Sequence, residues 1–227
     1  MRNQMRKPVF TFVGSVVSII LLAGCVVHVG AGENSNSWSD GKNYSEVNKS
    51  ISIGNGKTVG NVSSVNGGLK LGDNVDAGKV SSVNGRLRVG SDARVDELST
   101  VNGSLSSDEG LRSAGDVSTV NGSIKLKPNS DVGGTVSTVN GSINLEGVNI
   151  EENIETVNGS IYLEDNTTVK GDIVFQWNKR NNYQGKDPKL VIESGSIVEG
   201  QIILQRPVEL DIKDQATLDK VVEDFQM

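Results

Sequence analysis

A Val-Asn pair recurs in register seven times in this chain, starting at Val47, Val65, Val83, Val101, Val120, Val139 and Val157, with spacings of 18, 18, 18, 19, 19 and 18. Six of the seven continue into Gly (Gly67, Gly85, Gly103, Gly122, Gly141, Gly159), and the first has Lys49 in that place. Three residues before each Val stands an apolar or aromatic side chain: Tyr44, Val62, Val80, Leu98, Val117, Val136 or Ile154. Four and six residues after it come pairs such as Ile51/Ile53, Leu69/Leu71 and Ile143/Leu145. A fixed period of this length marks a repeat architecture, in which one supersecondary unit is copied and stacked.

Within each copy the pattern is that of a strand. Ile143-Asn144-Leu145 and its equivalents alternate apolar and polar with the two-residue period of a half-buried strand, and the β-branched residues and Leu suit a pleated surface. The Asn and Gly of the motif are expected at the turns, where the chain adopts positive φ. A unit this short cannot bury its own apolar side. Stacked coil on coil, each strand pairs with its equivalent about 4.8 Å away and the apolar residues form interior columns. The expected fold class is therefore all-β: a single-stranded parallel β-helix, or solenoid, of about nine coils, on the order of 40–50 Å long. A left-handed hexapeptide helix has turns of the same length but wants an apolar residue every six. The apolar offsets from Val136 are 3, 7 and 9, with Val132 at minus 4, which favours a right-handed helix with unequal sides. The scarcity of aromatics, 4 % of the chain, suits such a thin, turn-rich stack better than a conventional globular core.

Two polar columns follow from the same period. Asn66, Asn84, Asn102, Asn121, Asn140 and Asn158, with Asn48 before them, are expected to stack and hydrogen-bond along the axis. Ser64, Ser82, Thr100, Thr119, Thr138 and Thr156 form the second column. Their architectural reading is a turn with satisfied amides; their functional reading is a flat face for glycan or ice.

After Ile173 the register breaks. Val169–Ile173 matches Val198–Ile202, a step well beyond one coil, so about ten residues are inserted, within 176–189. That stretch holds Trp177, Lys179, Arg180, Tyr183, Lys186 and Lys189 with only Asp187 opposing them, a basic, aromatic patch on an acidic chain. Insertions in solenoids fall on loops, often on the binding face. Trp177 and Tyr183 beside Lys179, Arg180 and Lys186 form the candidate binding loop, able to stack on sugars or dock an acidic partner. Residues 210–227 read as a cap: a last coil through Leu210, Ile212, Ala216 and Leu218, then a short helix using Leu218, Val221, Val222 and Phe225.

The N-terminus has the pattern of an export signal. Arg2, Arg6 and Lys7 precede an uncharged apolar run from Val9 to Ala23 that closes in small residues. Leu22-Ala23-Gly24-Cys25 resembles the lipobox of bacterial lipoproteins, which implies that residues 1–24 are removed and that Cys25 carries the lipid. Several acyl chains on one residue anchor a protein stably to a membrane. Val26, by the sorting rule that the same resemblance implies, directs the chain to the outer membrane. Residues 25–43 then form the lipidated Cys and a flexible tether, and residues 44–222 the β-helix. Loss of residues 1–24 leaves 19 Lys and Arg against 28 Asp and Glu, a net charge of about −9, which argues against nucleic acid as a partner.

Val132–Leu145, with Val-x-Gly and then Val-Asn-Gly-Ser-Ile-x-Leu, resembles the repeats of bacterial adhesin-type β-helix domains, and Val169–Ile173 and Val198–Ile202 resemble units of bactofilins, the polymer-forming β-helical proteins. The resemblance covers roughly residues 44–222. It implies a structural or adhesive role, with no catalytic residues to carry over, although the lipobox departs from the cytoskeletal setting of bactofilins. The expected function is a membrane-anchored envelope lipoprotein with a structural or adhesive role that self-associates through its end coils. The alternative is a module that binds polysaccharide or an envelope partner through the 176–189 loop. A carbohydrate-active enzyme is a third class, but Asp108/Glu109, Glu151/Glu152 and Glu164/Asp165 are sequence neighbours that strand alternation splits between faces, unless a turn intervenes. With the one His, His28, in the tether, no His/Cys cluster and no Ca²⁺-loop spacing of Asp, neither a metal nor another cofactor is expected.

Overall fold

The computed structural model describes residues 41–177 and 186–225. Cys25, the signal segment, nearly all of the tether, Lys179, Arg180 and Tyr183 lie outside the described residues.

One coil shows why the sequence folds as it does. Val117–Asn121 forms a strand on a first face, and Ile124–Leu126 a strand on a second. Asn129, at φ 62°, turns the corner into Ser130–Val132 on a third face. The next copy of the motif then begins at Val136. Each strand pairs in parallel with its equivalents in the coils before and after: Val117 opposes Leu98 and Val136, and Ile124 opposes Leu105 and Ile143. Repetition of this unit gives an all-β parallel β-solenoid of about nine turns, with nine strands on the second face running from Ile51–Ile53 to Glu209–Ile212.

The alternating pattern places one apolar column behind another. Val62, Val80, Leu98, Val117, Val136, Ile154, Ile173 and Ile202 are completely buried behind the first face. Leu87, Leu105, Ile124, Ile143 and Ile161 are buried behind the second. Each such side chain contributes about 1.5–3 kcal/mol by leaving water, and its partners come from neighbouring coils, so no single coil holds this fold by itself.

The shorter and longer coils differ at the corner between the third and first faces. Strands Asp76–Asn84 and Arg94–Asn102 run through that corner unbroken, with a step of four from Arg94 to Leu98. From Arg112 to Val117 the step is five, and Ala114, Gly115 and Asp116 split the strand in two. Farther on, Ile173 pairs with Ile202 and Ile161 with Leu190, so both faces skip the same inserted length. The inserted length falls between Phe175 and Lys189, and pairing continues on both faces without a shift of register.

Two local expectations are corrected, and of the two readings of the Ser/Thr column the open face falls. The Val-Asn-Gly corner is not the positive-φ turn: among its residues only Gly141, at φ 138°, adopts such a conformation. The left-handed residues stand one corner later, at Gly56, Asn74, Asp92, Gly110, Asn129, Gly147, Asp165 with Asn166, and Gly195. The Ser/Thr column is not on an open face. Thr138 lies two residues beyond the inward Val136, so the strand period turns it inward, and Thr119, Thr138 and Thr156 are fully buried. At the C-terminus the order is strand, helix, strand: Glu209–Ile212, a single helical turn at Gln215–Leu218, then Val221–Glu223 paired with Ile202–Leu204. Asp214 accepts from the Thr217 amide at 2.8 Å and caps that turn. Parallel pairing with Ile202–Leu204 claims Val221 and Val222 for the sheet.

Candidate functional site

The motif corner is built from three stacked columns, each with its own physical cause. The asparagines form a continuous amide ladder. Each side-chain Nδ2 donates to Oδ1 of the asparagine one coil below, from Asn66 to Asn48 at 3.0 Å, through Asn84, Asn102, Asn121 and Asn140 at 2.7–2.8 Å, to Asn158 on Asn140 at 2.9 Å. The side chains from Asn48 to Asn140 are exposed. All the amides point the same way, so their dipoles add and the oxygen of Asn158 is the negative end of the column.

The glycines form the second column, and close approach is what requires them. A Cβ on Gly103 would lie 1.9 Å from the Gly85 carbonyl oxygen, and on Gly122 2.0 Å from that of Gly103. Equivalent contacts at Gly67, Gly85, Gly141 and Gly159 are 2.0–2.1 Å. Lys49 stands in the first described coil and offers only its carbonyl to Gly67 above it.

The buried hydroxyls form the third. Ser64, Ser82, Thr100, Thr119 and Thr138 donate to the carbonyls of Lys49, Gly67, Gly85, Gly103 and Gly122 at 3.1–3.4 Å, each in the preceding coil. Thr156 instead accepts from the Gly159 amide at 2.9 Å. Where the motif ends the hydroxyls end too, and their column continues as Phe175 and Leu204, both buried.

The break in the motif is where side chains converge. Trp177 takes the ladder position, two residues beyond Phe175 as Asn158 is two beyond Thr156. Its side chain is 40 % exposed and its amide donates to Gln205 Oε1 at 3.2 Å. Gln176 Nε2 donates to Glu155 Oε2 at 3.0 Å, and burial there holds the Glu155 carboxyl above the usual carboxylate range. Arg206, in the coil beyond, is 5 % exposed and reaches past the Trp177 coil. Its Nη1 lies 2.8 Å from Asn158 Oδ1 and 3.0 Å from the Val157 carbonyl oxygen.

Comparison with family models, curated proteins and solved structures gives no match. Of the resemblance drawn from the repeats, the β-solenoid itself is what the structure supports.

The structure thus brings Trp177, Gln176, Glu155, Gln205 and Arg206 together beside the top of the ladder. Of the proposed loop residues, Lys186 is described and exposed, and it is not part of this group. Sequence reasoning does not single out Arg206. Its one signal is a cation at the ladder position counted from Ile202, where repeats without an insertion carry Asn. Elsewhere, a shallow groove on the third face is lined by Arg94, Arg112, Asp131 and Glu151. There Arg112 pairs with Asp131 at 2.8 Å and Lys170 with Glu151 at 2.8 Å, so its charges neutralise one another. No group of three or more His, Cys, Asp or Glu placed to hold a metal ion occurs among the described residues, and no helix among them is long and apolar enough to cross a membrane.

Proposed function

We propose that the chain is a non-catalytic envelope lipoprotein, anchored through Cys25 and carrying a rigid solenoid that assembles end to end with further copies. The observation that supports the assembly is the contrast between the two ends of the described stack; the anchoring rests on Leu22-Ala23-Gly24-Cys25. The first described coil, residues 41–58, holds Lys42, Lys49 and Lys57 against Glu46 alone. The last, residues 209–225, holds six acids against Lys213 and Lys220. At that acidic end Val221–Glu223 is the final strand of its sheet and Glu209–Ile212 the final strand of the other. Leu218, Val222 and Phe225 are 37–45 % exposed there. An unpaired strand edge beside apolar side chains is a template for another chain. A basic first coil is the complementary surface, and head-to-tail contacts of this kind propagate as filaments instead of closing.

Sedimentation of the purified protein over a concentration series tests the assembly. Growth in mass with concentration, abolished by Val222→Glu and weakened by salt, is the expected result. A chain that stays monomeric at the highest concentration refutes it. Anchoring is tested separately by metabolic labelling with palmitate, which is expected to mark the wild type and not Cys25→Ser. The alternative, a polysaccharide- or partner-binding module using Trp177 and the 176–189 loop, is favoured by the exposed indole. It predicts that Trp177→Ala folds normally and loses a glycan ligand.

A further inference from the structure

The solenoid places four cations on one strip that no carboxylate of the described residues neutralises. Eight other cations of the described residues sit against a carboxylate, among them Lys79 on Glu97 at 2.8 Å, Arg94 on Asp76 at 3.6 Å and Lys125 on Glu146 at 3.0 Å. Lys49, Lys70, Arg86 and Arg88 form no such pair among the described residues, and all four are exposed. They fall in three successive coils. Lys70 and Arg88 are direct partners across adjacent strands of the second face, about 4.8 Å apart along the axis. Arg86 is two residues before Arg88, on the same side of that strand, and Lys49 stands at the corner below. Gly67, Gly68 and Gly85 leave this corner free of side chains.

Like charges directly opposite each other on neighbouring strands destabilise a sheet. Where a base faces a base elsewhere, each has an acid beside it: Arg94 opposes Arg112, but Arg94 rests on Asp76 and Arg112 on Asp131, while Lys79 opposes Glu97 and Lys189 opposes Glu209. Lys70 and Arg88 face each other without such an acid, on a protein whose overall charge is negative. The carboxylates of these coils stand off the strip: Asp73 and Asp92 lie past the far ends of the second-face strands, and Glu46, Asp76, Asp96 and Glu97 are on strands of the other sheet; Asp73 already accepts from Asn55 at 3.1 Å.

We infer that this strip binds an acidic polysaccharide, a linear glycan bearing carboxylate or another anionic group along its length. The cations are spread over a flat strand surface and do not converge in a concavity, so a single small anion meets at most two of them. A chain laid along the axis meets them all, because the rung spacing of about 4.8 Å is close to the length of one pyranose unit. Ser50, Ser52, Ser104 and Ser106 flank the cations on the same face and supply hydroxyls for a glycan's own. Nucleic acid is the poorer fit. None of Ser50, Ser52, Lys70, Arg86, Arg88, Ser104 and Ser106 is aromatic, so no base can stack there, and the protein's net charge repels a dense polyphosphate.

The test is retention of the full-length protein, in non-ionic detergent, on immobilised polygalacturonate under a salt gradient. The variant is Lys70→Ser with Arg88→Ser. Serine already occupies the same column at Ser52 and Ser106, so folding is expected to be unchanged, and circular dichroism checks this. Wild type is expected to be retained and the variant to elute at clearly lower salt, with the slope of log affinity against log salt reduced by about two. Lys125→Ser with Lys127→Ser, whose ammonium groups already rest on Glu146, is expected to elute with the wild type. Equal shifts in both variants, or none in either, overturn the inference. So does equal retention on double-stranded DNA, which makes the strip a general polyanion site. A wild type that ignores the glycan while Lys70→Ser/Arg88→Ser alters only its sedimentation also overturns it, and assigns the strip to a second copy. Because the readout is glycan retention, a strictly monomeric protein leaves it standing.

Discussion

Arg206 ends the asparagine ladder at Asn158, placing a guanidinium 2.8 Å from the one amide oxygen in the column that has no asparagine above it. The aligned amides leave partial negative charge on that oxygen, and a buried cation is the group that stabilises it most. Arg206 does this across the Trp177 coil, so it ties the C-terminal coils to the regular repeats at the point where the insertion interrupts the motif.

Arg206→Ala leaves both Asn158 Oδ1 and the Val157 carbonyl without their donor, and Val157 is only 4 % exposed. A loss of about 2 kcal/mol is expected in urea unfolding. Arg206→Lys recovers less than half of it, because both bonds come from Nη1 and the shorter lysine side chain ends one bond short of that nitrogen. Arg206 ties together the coils on either side of the Trp177 coil, so hydrogen exchange should accelerate chiefly around residues 154–158, 173–177 and 202–206.

The two kinds of glycine in the repeat separate cleanly on alanine substitution. Gly103→Ala drives a Cβ into the Gly85 carbonyl, which is rigid backbone with nowhere to move in an in-register stack. It should cost about 3 kcal/mol or more in chemical denaturation. Gly54→Ala meets nothing within 4 Å and lacks a positive φ. It should be neutral, or stabilise by about 0.4–1 kcal/mol through the unfolded chain.

These contrasts mark how far the sequence could be read. A strict period is enough to stack equal residues, so the coil length, the inward column from Val62 to Ile202 and the pairing of Ile173 with Ile202 were legible without coordinates. The turn chemistry was not. Asn and Gly beside Val were assigned positive φ because those residues commonly adopt it, whereas the chain turns left-handed about half a coil later. The signal was present as a second periodic set, Gly56, Asn74, Asp92, Gly110 and Asn129, overshadowed by the more conspicuous motif. The burial of Thr119 and Thr138 follows from the same alternation as that of Val117 and Val136. The cationic strip was illegible for a different reason. Lys49, Lys70, Arg86 and Arg88 are scattered over three repeats, and only the coil geometry brings them onto one face.

Ser107 and Thr119 test whether a buried hydroxyl helps or harms this core. Ser107 lies in register with Val89 behind the second face, 3 % exposed, and its Oγ has no hydrogen-bond partner. Leaving a hydroxyl unpaired costs about 1–3 kcal/mol, so Ser107→Ala is expected to raise the thermal midpoint. Thr119 donates to the Gly103 carbonyl at 3.1 Å and also fills core volume with its methyl group. Thr119→Ala should destabilise by about 1–2 kcal/mol.

Glu155 and Glu146 should give the stability opposite dependences on pH. Burial raises the Glu155 carboxyl above its ordinary value, opposed by a hydrogen bond from Asn153 and reinforced by Asp116. The folded state therefore binds a proton more readily than the unfolded chain at this residue. Its contribution to stability is intact at low pH and is lost as pH rises from the unfolded carboxylate pKa, about 4.3, through the higher folded value. Glu155→Gln removes the penalty and keeps an oxygen for Gln176. Its melting temperature should exceed that of the wild type at pH 7, and the two should converge below about pH 4. Glu146 is shifted the other way, principally by its hydrogen bond to Lys127 and further by Lys125. Its stabilisation is complete above the unfolded pKa and disappears as pH falls through the depressed folded value. Glu146→Gln should melt below the wild type at pH 7 and approach it in acid. Melting curves of the two variants from pH 3 to 8 check both signs, and parallel curves at all pH values would show that neither carboxylate is held as the structure places it.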